Sequence, residues 1–304
     1  MIISNTLLQL QGEFVIIKCV RIRRTFAMGG FALIKDKKGF GQLNSFSDKK
    51  RIVIKVGSST LAYHTGHLNI RKCQELIEVM SDIKNSGREI IFVTSGAQGV
   101  GAARAGLVRK PDDFPGKQAC AAIGQCELMT FYSEQFGRYN HKVAQLLLTR
   151  DVISNPERKT NVVNTFNKLF EMGVIPIINA NDAVSIKQLD FDENDTLSAI
   201  VASLCGADLL VMLTDVDGLY DGDPHDPSSH LIPVVERITP DIISVAQGAG
   251  SSLGTGGMLT KVEAAQIATD AGIDALIIGN DRPSLLYDIF EGEPRCTWFK
   301  AQEY

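Results

Sequence analysis

Four times between Cys73 and Asn280 the chain runs the same course: an amphipathic helical stretch, a glycine, and at once a short apolar run that ends in small polar residues. In the first copy Cys73, Leu76, Ile77, Met80 and Ile83 fall on one helical face, and Gly87 is placed to close the helix in the left-handed conformation. Residues 89–93 then give a strand running into Thr94-Ser95-Gly96. The second copy spans residues 162–172, Gly173 and a strand ending at Asn179-Ala180-Asn181-Asp182. The third spans residues 196–204, Gly206 and a strand ending at Thr214-Asp215; the fourth spans residues 258–271, Gly272 and a strand ending at Gly279-Asn280. This alternation predicts an α/β three-layer sandwich: a mainly parallel sheet between two helical layers, joined by right-handed crossovers. The polar strand ends then share one edge, where open α/β sheets bind ligands. A long helix over residues 116–139 and a further strand over 142–148 fit the same body. The Asp, Gly and Pro of residues 216–229 mark turns, as a cap over the site or a hairpin.

Two loops bring chemistry to that edge. In RIVIKVGSST, residues 51–60, a buried-type strand interrupted by Lys55 runs into Gly57-Ser58-Ser59. It reads either as a phosphate-facing strand end or as a lysine reaching water beside an ordinary turn. In SSLGTGGMLTK, residues 251–261, Gly254, Gly256 and Gly257 let backbone approach a ligand closely, and Thr255 adds a hydroxyl. The loop opens the helix that carries Lys261. It reads either as a phosphate cradle or as a flexible linker.

Other chemistries find little support. No GxxxxGK[ST] is present, and Gly99 to Arg104 has arginine where a dinucleotide-binding loop needs its third glycine. The aspartates from Asp215 to Asp223 miss calcium-loop spacing, and His225 and His230 flank Pro227 in a loop rather than pairing on a helix. The six cysteines contain no CxxC pair, which argues against a zinc site and a disulfide framework. The basic start, nine Lys or Arg against three acids in residues 1–50, contrasts with a body of charge −10 within the net −4. An acidic body is not a nucleic-acid binder, and no apolar run suits a membrane span or secretory signal, so a cytoplasmic location is expected. Residues 1–50 read as a leader of open role: a tail, an unused upstream start with Met28 as the alternative, or a weak transit segment.

Taken together in order and spacing, several stretches resemble the amino acid kinase family. They are Lys55-Val56-Gly57-Ser58-Ser59, Val93-Thr94-Ser95-Gly96-Ala97, Ile177 through Val184, Asn194-Asp195-Thr196-Leu197-Ser198-Ala199, Leu213-Thr214-Asp215 with Gly218-Leu219-Tyr220, and Leu253 through Lys261. Lys117-Gln118, Ala122-Ile123-Gly124-Gln125 and Leu146 through Arg150 extend the match to essentially all of residues 51–300, the kinase domain being 51–304. The members most resembled phosphorylate the side-chain carboxylate of L-glutamate for proline biosynthesis, in the short form without a C-terminal RNA-binding-like domain. The resemblance implies that Lys55 and Lys261 stabilise the transferring phosphoryl group and that Asp195 orients them. It implies that Lys55, Gly57, Thr214, Asp215, Thr255, Gly256, Gly257, Met258 and Lys261 hold ATP, and that Ser95, Asp182 and Asn194 hold glutamate. It also implies Mg2+ carried on the ATP phosphates without protein ligands, a homo-oligomer, and feedback inhibition by proline. Other carboxylate kinases of the family, acting on acetylglutamate or aspartate, and a non-catalytic small-molecule-binding module are the alternatives. Two positions depart from the family pattern: Asp192 where glycine is usual, and Ala180 where glutamate is common. Asp195 also reads as an N-cap of the helix that follows it.

Overall fold

The computed structural model describes residues 3–10, 13–20, 46–149, 151–184, 194–248, 257–292 and 294–302, with side chains from residue 46 onward except at 151 and 153. The chain divides into two units, Met1–Gly41 and Gln42–Tyr304. In the first, β1 (Ile3–Leu10) pairs antiparallel with β2 (Glu13–Val20), from Ile3↔Val20 to Leu10↔Glu13. The expected leader thus contains a hairpin, whose Ile, Leu and Val content favours strands whatever the charge of the segment.

The second unit is built on eight strands: β3 (Arg51–Val56), β4 (Glu89–Val93), β5 (Val143–Leu148), β6 (Ile175–Ala180), β7 (Leu209–Thr214), β8 (Val234–Val235), β9 (Asp274–Gly279) and β10 (Cys296–Phe299). Their order is β5-β6-β4-β3-β7-β9-β10-β8, parallel throughout except for the antiparallel β9–β10 pair. The chain progresses outward from β3 in both directions, first through β4 and later through β7. A crevice at the carboxyl end of β3 is therefore the topological switch point. Register makes the edge even: Lys55 lies opposite Val93 on one side and Met212 on the other.

Apolar side chains on both sheet faces account for the three layers. Ile52, Ile54 and Val56 of β3 join one core with α2 (Ile70–Asn85), α4 (Phe114–Gly137) and α10 (Leu285–Glu291). Val53 joins the other, with α6 (Pro156–Glu171), α7 (Asn194–Cys205), α8 (Pro240–Gly248) and α9 (Met258–Asp270). Strand alternation places Lys55 on the Val53 face, the side of α7 and α9. Short connecting helices, α1 (Ser58–Leu61), α3 (Ala97–Arg104) and α5 (Asp151–Ser154), follow β3, β4 and β5. The expected loop after Lys55 is thus one turn of helix from Ser58.

Helix boundaries follow local chemistry. Asn69, Asp113 and Asn155 cap α2, α4 and α6 by accepting from Lys72, Gly116 and Arg158 amides at 3.2, 2.9 and 3.1 Å. Each repeat unit closes on a left-handed glycine, as at Gly87 (φ +97°) and Gly206 (φ +63°). The glycines at 99–104 serve packing rather than a dinucleotide: a Cβ at Gly101 would stand 1.8 Å from Cys120 O, and one at Gly124 1.8 Å from Ala97 O. Residues 216–231 form a hairpin-like excursion, with a Tyr220↔Leu231 bridge and exposed His225 and His230.

The second unit begins before the expected boundary at residue 51. Phe46 is 2% exposed and meets Trp298 edge-to-face at 5.2 Å, and Lys49 pairs with Asp274 at 2.7 Å. A lone aromatic in a polar stretch has no periodic signal by which the sequence could announce it. Cys73, Cys205 and Cys296 are core residues whose thiols burial pushes up to about 12, whereas Cys126 is exposed. Among the described residues no helix is long and apolar enough to cross a membrane.

Candidate active site

At the switch point a single carboxylate serves two ammonium groups. Asp195, in the first turn of α7, is 1% exposed; its Oδ1 lies 2.5 Å from Lys55 Nζ and its Oδ2 lies 3.2 Å from Lys261 Nζ. Three different elements meet here: the end of β3, the start of α7 and the first turn of α9. The buried faces of α7 and α9, which pack on each other, are rich in small residues, among them Ala199, Ala202, Ala264 and Ala265. Burial alone would push the Asp195 carboxyl up. The Lys55 and Lys261 ammonium groups outweigh it and hold the group below the usual carboxylate range. Two buried ammonium groups thus share one buried carboxylate. Asp195 therefore acts through its side chain on the lysines, while its carbonyl accepts from Ser198 Oγ at 2.6 Å; it lies inside the helix rather than capping it.

On one side of the trio lie the ends of β7 and β9. Thr214 closes β7, and the exposed Asp215 accepts at Oδ1 from Ser59 Oγ at 3.2 Å and from Asn280 Nδ2 at 2.8 Å. Gly57 lies beside the lysine: a Cβ there would be in ordinary contact with Lys55 Nζ, at 3.8 Å. Gly57 also precedes α1 in extended conformation. Gly257 precedes α9 in the same manner, so the first amides of a 13-residue helix open toward this end, with Met258 buried behind them. Thr255 and Gly256 lie outside the described residues, as does Asp192.

On the other side lie the ends of β4 and β6. Asn194, adjacent to Asp195, donates from Nδ2 to Ser95 Oγ at 2.8 Å, Thr94 O at 3.1 Å and Asn179 Oδ1 at 3.2 Å. Two consecutive residues of α7 thus reach different halves of the crevice. Gly96, in the left-handed conformation at φ +92°, turns the chain from β4 into α3 and leaves Ser95 at the edge. Asp182 accepts from Gln98 Nε2 at 3.1 Å, and Asn179 donates to Gln125 Oε1 at 2.9 Å. Below Ser95, Thr94 Oγ1 and the buried Tyr132 hydroxyl share a hydrogen bond of 2.6 Å, and burial keeps the phenol neutral by raising its pKa. Ala180 ends β6 opposite Leu148, and its amide donates to Asn179 Oδ1 at 2.9 Å.

Every described residue expected at the site lies on this one sheet edge. Sequence reading passed over Gln98, Gln125, Asn179 and Asn280. Asn179 and Asn280 were signalled as polar residues ending apolar strands. Gln125 lay within a stretch that resembles the family but had no role assigned, and Gln98 carried no signal apart from tertiary contact.

The comparisons with known proteins agree with this architecture. The amino acid kinase family's sequence profile matches residues 50–279. The glutamate 5-kinase of Clostridium perfringens is 49% identical over 264 residues, covering 85% of this chain and 98% of that protein. That of Listeria monocytogenes is 45% identical over 264 residues, covering 85% and 96%. Among solved structures, UMP kinase from Ureaplasma parvum superposes with a TM-score of 0.59 at 17% identity, covering 83% of this chain and 99% of that one. Carbamate kinase from Giardia lamblia bound to AMP-PNP gives 0.59 at 14% identity, covering 84% and 100%. At such identities the two structures establish a shared fold. The profile match and the curated relatives go further: the chain belongs to the amino acid kinase family.

Proposed function

We propose that the chain transfers the γ-phosphoryl group of ATP to the side-chain carboxylate of free L-glutamate, giving γ-glutamyl phosphate and ADP, the first step of proline biosynthesis. The observation that carries this reading is the buried Lys55–Asp195–Lys261 trio at the switch point, at 2.5 and 3.2 Å. The acceptor reading is supported by the 49% and 45% identity to two glutamate 5-kinases over 85% of this chain.

A carboxylate is already ionised at neutral pH, so an oxygen of the glutamate side chain can attack the γ-phosphorus with no general base. As that P–O bond forms, the bond to the β-phosphate oxygen breaks and ADP leaves. The demand on the protein is alignment and charge cancellation. Lys55 and Lys261 meet it from two sides, with Asp195 fixing where their ammonium groups stand. Gly57, Thr214, Asp215, Thr255, Gly256, Gly257 and Met258 would hold the nucleotide. Mg2+ bound to its phosphate oxygens would supply further neutralisation. Both oxygens of Asp195 face lysines, so this carboxylate is set to hold ammonium groups rather than a metal. Ser95, Asp182 and Asn194 would hold glutamate: an aspartate suits the α-ammonium, and an asparagine amide can both donate and accept. The reading includes a cytoplasmic homo-oligomer inhibited by proline, which sedimentation and ADP-release assays with added proline would test.

Trapping the acyl phosphate with hydroxylamine tests the reaction itself. Hydroxamate should form from glutamate and not from N-acetylglutamate, which lacks the ammonium, nor from aspartate, which is one methylene shorter. Product from either of those but none from glutamate would overturn the acceptor assignment.

A further inference from the structure

Asn280, 5% exposed at the end of β9, makes more connections across the crevice than its position after a strand would suggest. Its amide nitrogen donates to Thr60 Oγ1 at 2.6 Å and to Asp215 Oδ1 at 2.8 Å. Its amide oxygen accepts from Lys72 Nζ at 3.1 Å, and its backbone N–H donates to Thr214 O at 2.8 Å. The amide can stand only one way round. An ammonium has no acceptor and an ionised carboxylate no donor, so the oxygen must face Lys72 and the nitrogen Asp215.

The elements joined are those that the nucleotide end depends on. Thr60 belongs to α1, which follows Lys55 and Gly57 directly; Thr214 and Asp215 end β7; Lys72 lies in the first turn of α2. Ser59 Oγ and Asn280 Nδ2 both donate to Oδ1 of Asp215, so one oxygen of this exposed carboxylate is held from two elements. We propose that Asn280, with its orientation set by Lys72 and Asp215 together, is the positioning residue of the nucleotide half-site. It holds the Asp215 carboxylate and α1 in one arrangement and so couples the nucleotide strand end to the strand end of Lys55. This rests on the assignment of that half-site to ATP.

The test exchanges amide and carboxylate. Asn280→Asp keeps the acceptor for Lys72 and sets a second carboxylate against Asp215. In Asn280→Asp/Asp215→Asn the two groups change places, and a donor again faces an acceptor across the same gap. Calorimetric titration of ATP without acceptor reads nucleotide binding whether or not glutamate is the substrate, so failure here is separate from failure of the acceptor assignment. Asn280→Asp should weaken ATP about tenfold or more, the scale of a lost hydrogen bond to a charged group. The double variant should bind ATP more tightly than Asn280→Asp. KM for glutamate should stay within about twofold in each. If Asn280→Asp fails to fold, Lys72→Met frees the amide from the other side and should weaken ATP without touching glutamate KM. Wild-type ATP affinity in Asn280→Asp or Lys72→Met, equal losses for both substrates, or a double variant no better than Asn280→Asp would overturn the proposal.

Discussion

Replacing Asp195 by asparagine keeps the shape of the side chain and removes the charge that two buried ammonium groups share. Lys55 and Lys261 are each 6% exposed, with the carboxylate oxygens at 2.5 and 3.2 Å. Leaving a buried charge uncompensated costs about 3–5 kcal/mol, which in a thermal scan of a domain of this size is on the order of 10 °C. Catalysis and binding should part company. With the lysines no longer held, kcat falls by about a hundredfold or more, the loss typical of misplaced electrostatic groups. ATP affinity does not fall, because the crevice is now more positive toward an anion. A companion, Lys261→Met, leaves Lys55 and Asp195 as a neutral pair and should lose turnover on the same scale. Calorimetry, ATP titration and steady-state kinetics on the two proteins give the complete set of readings. A folded Asp195→Asn enzyme turning over within tenfold of the wild type would refute the positioning role, as would ATP affinity falling in step with kcat.

Deleting residues 1–45 should leave kinase activity intact, whereas deletion through residue 50 also removes Phe46 from Trp298 and Lys49 from Asp274 and should cost about 3–5 kcal/mol more by chemical denaturation. Equal stability of the two truncations would show that Phe46 is not an anchor. Gly124→Ala sets a methyl 1.8 Å from Ala97 O and must push α4 from α3, just past Ser95; a lower melting temperature and a larger rise in glutamate KM than in ATP KM are expected. Asp182→Ala should raise glutamate KM far more than ATP KM, and an unchanged glutamate KM would remove Asp182 from the acceptor site. The Asp195 carboxyl is depressed in the folded protein, so its stabilisation is complete above the unfolded value of about 4 and is lost as pH falls through the lower folded value. The stability gap between wild type and Asp195→Asn, followed by denaturant titration, should therefore hold constant from neutral pH to about pH 5 and shrink below pH 4.

How much of this could be read from the chain depends on whether a residue's task is local or spatial. The four helix, glycine and strand units were legible because each is a short-range pattern: one apolar helical face, one left-handed closure, one run of β-branched residues. They suffice to fix a parallel sheet and to send all strand ends to one edge. What they leave open is which strands are neighbours. The order β5-β6-β4-β3-β7-β9 puts β4 and β7 beside β3 although more than a hundred residues separate them in the chain, and no periodicity encodes that. For the same reason the two-lysine site was within reach of a family resemblance but out of reach of spacing and periodicity alone. Lys55 and Lys261 each look like a surface charge until Asp195 arrives from a third element.

The site also shows why a charge in an otherwise apolar strand is informative. Along β3, Ile52, Ile54 and Val56 fill one core and Val53 the other, so the next position on the Val53 face should carry another apolar side chain. Lys55 occupies it instead. Burying an ammonium there is tolerable only because Asp195 descends onto it from α7. That carboxylate is then shared with Lys261 rather than matched to Lys55 alone. A structural ion pair would have been closed with one lysine. The second brings another buried ammonium group to the one point where the strand order reverses.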